Sequence, residues 1–297
     1  MKATLYLIFA TIFLGLNYHL AKIILKEVGF IEAGFWRFLF GVGALVLFGF
    51  KKLPNSQLII KNIKGISLTG FVGLFGFNIF FFLGLMSSSA VNAALIVSLN
   101  PALTILFSHK ILKTPIKKIQ VLGIVVAFIG VTYVILNGEI TNFKNLKFNY
   151  GDILILIANV FFALHHVWVK KYGTTISNLN FTLLTSTCSL IGFLILLPIS
   201  GMALITTHTY DFWMAVFGIG CIGTALAYFL WQKGVQITGA DKAGIYMNIV
   251  PISAAVLAVF FNESLQFYHL VGSLLIIAGM FFTRKTTINS KVHKPLS

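Results

Sequence analysis

Charge is scarce in this chain. Of 297 residues only 22 are Lys or Arg and 7 are Asp or Glu, so charged residues make up 10%. A soluble globular chain carries roughly a quarter, so too little charge is present to clothe a solvated surface of ordinary size. With so few acids there is no paired carboxylate for acid–base chemistry, and the P-loop, the HExxH metal helix and a Ser–His–Asp set are all missing. No catalytic residue, metal site or cofactor is therefore expected, and the chain has no ATP-driven step of its own. Cysteine is nearly absent too. Cys188 and Cys221 each sit inside an apolar run without metal-ligand spacing, which excludes a disulfide framework and reads as small packing residues.

What remains is apolar. Hydrophobic residues reach 58%, with 30 Phe and 26 Gly, and the mean hydropathy is +0.94. A bilayer-spanning helix takes about 20 apolar residues, and the runs between polar breaks divide the chain into ten segments. They lie near 3–25, 31–50, 65–86, 90–108, 117–136, 149–170, 179–200, 212–233, 240–261 and 267–284. The fold class expected is an all-α polytopic membrane protein. Lys2 and the run after it lack the small-residue cleavage site of a signal peptide, so that run is read as a retained first span. The gaps are too short for a separate domain, and the longest (137–149) divides the chain into 1–137 and 149–284, followed by a polar tail at 285–297.

The net charge of +15 suggests nucleic acid, but the basic residues fall in short gaps between apolar runs rather than on one solvated face. Such gaps carry topology signals. With the N-terminus inside, 17 of the 22 Lys and Arg fall on the inner side, so both termini are expected in the cytoplasm and the chain in the inner membrane. The expected partners are the lipid bilayer and a small-molecule substrate, with no nucleic acid and a homodimer left open.

The halves repeat each other. Residues 87–107 match 237–260 at an offset of 150, which aligns Ala90 with Ala240, Ala93 with Ala243 and Pro101 with Pro251. Residues 9–22 (FATIFLGLNYHLAK) match 157–170 (IANVFFALHHVWVK) at an offset of 148, and Lys22 falls on Lys170. Gly73 and Gly76 pair with Gly220 and Gly223, and Gly123 and Gly130 with Gly272 and Gly279. Each unit has five spans, an odd number, so the second copy enters the membrane inverted. Inverted repeats give two near-equal packings around one site, the architecture of many carriers.

The GLNYHLAK segment, FWRFLFG (35–41), the small-residue helices before Pro101 and Pro251, and NESLQFYHLVGSLLIIAGM (262–280) together resemble the drug/metabolite transporter superfamily, EamA type. The resemblance implies ten helices with cytoplasmic termini and transport, often export, of amino acids or related metabolites. It also places Asn17 in a cavity-lining polar stretch, matches Arg37 to the family's second-helix arginine, and matches Glu263 to a recurrent acid whose first-repeat counterpart is Lys113.

Polar side chains within a span are costly and by default face the bundle interior. The cavity candidates are therefore Asn17 and His19 in the first span, Asn78 in the third, Ser98 and Asn100 in the fourth, and Asn159 and His165 in the sixth. Tyr228 and Trp231 in the eighth and Tyr246 and Asn248 in the ninth complete the set. Each also reads as a helix-to-helix hydrogen bonder. Adjacent helical residues point about 100° apart, so one of His165 and His166 faces a cavity. Arg37, near a span end, is expected to snorkel or to pair with Glu32. Pro101 and Pro251 kink their helices or free a carbonyl. No acid lies at mid-span, so the simplest expectation is a facilitator or exchanger; a proton relay would have to use His19, His165 or His166. The amides and imidazoles favour a small polar solute, with a multidrug efflux carrier as the alternative and a membrane sensor or scaffold as the less favoured one.

Overall fold

The computed structural model describes residues 2–49, 56–139, 149–173, 176–201, 207–238, 246–247 and 249–284. The chain is all helical across these residues. The helices are α1 (Lys2–Ile24), α2 (Phe30–Gly49), α3 (Ser56–Leu85), α4 (Ala90–Leu112) and α5 (Lys118–Ile135), then α6 (Tyr150–Tyr172), α7 (Asn178–Ser200), α8 (Tyr210–Trp231, running on to Thr238), α9 (Ile249–Phe261) and α10 (Phe267–Arg284). The first eight are long and apolar enough to cross a bilayer, and α9 and α10 are shorter apolar helices. The 137–149 linker, the tail and most of the stretch entering α9 lie outside the described residues.

Helix starts follow side-chain caps: Ser89, Asn149, Ser177 and Thr209 accept the free amides at the heads of α4, α6, α7 and α8. Left-handed residues end α4 at Lys113 (φ 55°) and α9 at Asn262 (φ 55°). This shared turn sets Lys113 opposite Asn262, one residue away from the expected Lys113–Glu263 pairing. The third span also begins nine residues earlier than the apolar run, because Ser56–Gly65 continues the helix as an amphipathic turn at its polar end.

The principal helix pairs recur when the two halves are exchanged. α1 lies on α8 and α9, as α6 lies on α3 and α4; α2 packs on α7, α4 on α9 and α5 on α10. The α5–α10 seam is built on glycine: a Cβ on Gly279 would meet the Ala127 amide nitrogen and the Gly123 carbonyl at 2.5 Å. Such contacts let helices approach closely in a bilayer, where apolar burial against lipid contributes little. The third helix of each half also contains a π-helical stretch, Leu68–Phe75 in α3 and Gly218–Leu226 in α8. These are two inverted five-helix repeats.

Candidate functional site

The first helix of each repeat docks on the π-helical stretch of the other. Asn17 donates its amide to the Gly223 carbonyl (3.1 Å), and a Cβ on Gly223 would strike the Asn17 side chain. His165, aligned with Asn17 in the sequence, takes the matching place: its Nδ1 donates to the Thr69 carbonyl (3.2 Å), and its Cβ and Cα abut Gly73. The π turn offsets its carbonyls from the regular ladder, and in both repeats a polar side chain from across the interface takes one of them.

Asn159, fully buried, ties α6 to α4. Its amide donates to the Ile96 carbonyl (2.9 Å) and its oxygen accepts from Asn100 (2.9 Å). Helix α4 breaks at Ser98 and Leu99, just ahead of Pro101. The proline thus kinks the helix, and a neighbouring amide takes a carbonyl beside the break. Asn100 Oδ1 also accepts from His166 Nδ1 (2.8 Å) and Thr104 (3.2 Å). The two histidines diverge, His165 to α3 and His166 to α4. His166, the alternative to His165 in the sequence, is the one that joins the Asn100–Asn159 network. Ser98 bonds its own turn at Leu95, and Trp231 and Tyr246 are half-buried. Asn248 lies outside the described residues.

His19 is buried, stacked on Phe261 with ring centroids 4.7 Å apart. Its Nε2 donates to the Ala254 carbonyl (2.7 Å), and Nδ1 lies 3.4 Å from Glu263 Oε1. A carbonyl only accepts, so Nε2 carries a hydrogen and the second nitrogen faces a carboxylate. Burial opposes ionisation of Glu263, but His19, the Val91 amide and Lys22 outweigh it and hold the carboxyl below its usual value.

Every acid among the described residues lies at this same end, which holds the loops after α1, α3, α5, α7 and α9. The groups here are interlocked. Asp152, fully buried, accepts from Ser88 and from the Asn92 amide (3.0 Å), and Asn92 Oδ1 accepts from His269 Nε2 (2.9 Å). His208 lies between Glu27 (3.2 Å) and Glu32 (3.3 Å). Half-buried Lys22 donates to the carbonyls of Leu85 and Ser88, each at 2.9 Å. Its repeat counterpart Lys170, at the opposite end, is exposed and makes no such bond. Among the described residues no group of side chains is arranged to hold a metal ion.

The expectation for Arg37 is corrected. It neither snorkels nor pairs with Glu32, which is held by His208 and Trp36. The guanidinium is 5% exposed, eight residues into α2, with Nε donating to Thr224 Oγ1 (3.4 Å). Packing of α2 against α3 and α8 turns it inward, a placement that sequence position alone does not show.

A protein-family model, the EamA-like transporter family, matches residues 1–136 and 149–284. Among curated proteins the chain is similar to a Bacillus subtilis (strain 168) protein named Uncharacterized transporter YyaM, at 32% identity over 274 residues, covering 91% of this chain and 89% of that one. It is also similar to Uncharacterized transporter YetK of the same organism, at 27% identity over 95% of this chain and 87% of that one. A solved crystal structure shares the fold at a TM-score of 0.65 and 19% identity, covering 98% of this chain and 99% of that one. With the repeat packing and the apolar spans, these matches make the chain a multi-pass membrane protein that belongs to the EamA-like transporter family.

Proposed function

We propose that the chain carries a small polar metabolite, an amino acid or a related compound, out of the cell across the inner membrane by alternating access. Both termini are cytoplasmic in this reading, so the interlocked acidic end faces outward. One observation carries it: Lys22 and Lys170 occupy equivalent places in inverted repeats, yet Lys22 clamps the turn after α3 while Lys170 stands free. Two related halves that share their main packing but differ at opposite ends are what a carrier closed on one side requires. The inward-turned amides and imidazoles suit a solute that both donates and accepts hydrogen bonds. The driving force in this reading is the solute's own gradient or exchange.

Counterflow in proteoliposomes tests it. Vesicles preloaded with one unlabelled metabolite should accumulate its labelled form transiently, and Lys22→Met should change the rate by loosening one closed state. Absence of counterflow for every member of an amino-acid and organic-metabolite panel would remove the proposal.

A further inference from the structure

The surroundings of His19 call for a second hydrogen on its ring. Nε2 lies 2.7 Å from the Ala254 carbonyl, which can only accept, so that nitrogen carries one hydrogen. In a neutral imidazole the other nitrogen is then a bare lone pair. Here that nitrogen, Nδ1, is a buried atom without a hydrogen-bond partner, and it faces Glu263 Oε1 at 3.4 Å. Burial works against the charge of Glu263, but His19, the Val91 amide and Lys22 keep it ionised. A lone pair set against a partly desolvated carboxylate is repulsive. A hydrogen on Nδ1 turns the same contact into a charge-assisted pair. The ring also lies flat on Phe261, 3° from parallel with centroids 4.7 Å apart, and an aromatic face favours a cation.

These contacts all come from one element. Ala254 and Phe261 belong to α9, and Glu263 follows the left-handed Asn262 that ends it. The second hydrogen is therefore held only while α1 is docked on α9. The other repeat has no such place: Val167, aligned with His19, is buried, and Lys113 and Thr114 stand in the turn where Glu263 would be. The remaining ionisable groups of this end are otherwise engaged. Lys22 donates to the Leu85 and Ser88 carbonyls, Lys26 is exposed, and Asp152 of α6 accepts from Ser88 and Asn92. His269 of α10 donates from Nε2 to Asn92 Oδ1 and accepts the Gln266 amide on Nδ1 (2.9 Å), bonds that suit a neutral ring. His208 lies between Glu27 and Glu32, from the α1–α2 turn and α2. Of the helices packed on α1, α3 and α4 bring no ionisable side chain to this end, α9 brings none before Glu263, and α8 brings exposed Tyr210 and Asp211.

We infer that His19 and Glu263 form a proton-binding latch at the closed acidic end, filled when α1 docks on α9 and emptied when they part, so that an acidic solution on that side holds the carrier shut. The proton enters and leaves on one side. Glu263 keeps 21% of its side chain exposed there, while the His19 side chain has none. The latch thus sets the gate without the proton being carried across. The inference rests on the alternating-access reading for the opening step and for which side is outside, but the proton is measurable without flux.

Two measurements on the full chain in lipid nanodiscs test it. The first is nuclear magnetic resonance of nitrogen-labelled imidazoles, with His208→Gln present to remove the other ring set between carboxylates. At neutral pH a ring with both hydrogens should be found. It should be absent after His19→Gln and lose its second hydrogen after Glu263→Gln. The second measurement reads closure. With Cys188 and Cys221 replaced by Ala, spin labels at Lys26→Cys and Leu265→Cys, exposed in the turns after α1 and α9, report their separation by pulsed electron paramagnetic resonance. A proton held only in the closed state favours closure at low pH, and closure is lost as pH rises. The longer separation should therefore grow between about pH 5 and 8, where imidazoles titrate. Its population ratio should change by at most about tenfold per pH unit, the slope for one proton. The response should flatten in His19→Gln and persist in His208→Gln. A singly protonated His19 at neutral pH, a response unchanged by His19→Gln, or one lost only in His208→Gln would each overturn the inference. Should His19→Gln fail to elute as a single species, the resonance comparison with Glu263→Gln decides alone. A pH-dependent separation without counterflow of any metabolite would sink the transport proposal and leave the latch standing. Counterflow with a separation indifferent to pH would do the reverse.

Discussion

Asn159 commits both ends of its amide to α4, whereas Asn78 donates only to the Leu74 carbonyl of its own helix and leaves its oxygen unpartnered. Asn159→Leu strips partners from the Ile96 carbonyl and from Asn100 beside the helix break. It should therefore destabilise the protein by about 1–3 kcal/mol, seen as a lowered melting temperature in detergent. Asn78→Leu removes a buried acceptor that nothing satisfies, so its melting temperature should hold or rise. Loss of counterflow in Asn78→Leu at unchanged stability would mark that oxygen as a solute ligand. Equal destabilisation by both would contradict the bonding described. Glu263 gives a pH-dependent case. Its carboxyl is held below the usual value, so the ionised form stabilises the fold above the unfolded pKa of about 4.3, and this is lost as pH falls through the folded value. Glu263→Gln should melt below wild type at neutral pH, and the difference should shrink as pH is taken below that reference value and the carboxylate protonates. A difference constant across that range would mean that the carboxylate's charge is irrelevant.

Among the helices, the α5–α10 seam leaves no room for a side chain at Gly279. Gly279 faces backbone atoms of α5 that cannot yield, while Gly43 in α2 is exposed with nothing within 4 Å of its would-be Cβ. Gly279→Val should abolish the folded species on size exclusion, and Gly43→Ala should be neutral or stabilise by up to about 1 kcal/mol through helix propensity. A folded Gly279→Val would require the seam to open without cost. The glycines of α5 and α10 were legible only as matched positions of the repeat, and their role in the seam was not. The ten spans were legible because lipid demands long apolar runs and forbids irregular backbone. The π-helical stretches were not, because a shift from four- to five-residue hydrogen bonding leaves no mark in composition. Arg37 was misread because its depth along α2 suggested snorkelling, whereas its direction depends on α3 and α8, which are far away in sequence. His19 and Glu263 were both visible as residues, but their pairing across α1 and α9 was not.

For the whole molecule, the lysines and arginines supply the reading of orientation, and the acids lie opposite most of them. The count of Lys and Arg places 17 of 22 on one side of the membrane, and every acid among the described residues gathers at the other end of the bundle. Among the described residues, the lysines at that acidic end are Lys22, near Glu263, and Lys26, next to Glu27. Met86, 52% exposed in the turn after α3, and Pro115, exposed in the turn after α4, sit at opposite ends of one helix. With Cys188 and Cys221 first replaced by Ala, single cysteines at these positions give a clean readout. Met86→Cys should react with a membrane-impermeant maleimide added to intact cells, and Pro115→Cys should react only after the cells are broken. Reversed labelling would keep the fold and invert its orientation, turning the Lys22 clamp toward the cytoplasm. Labelling of both from outside would leave α4 unable to span the membrane, and the inverted repeat, with the alternating-access argument built on it, would fall.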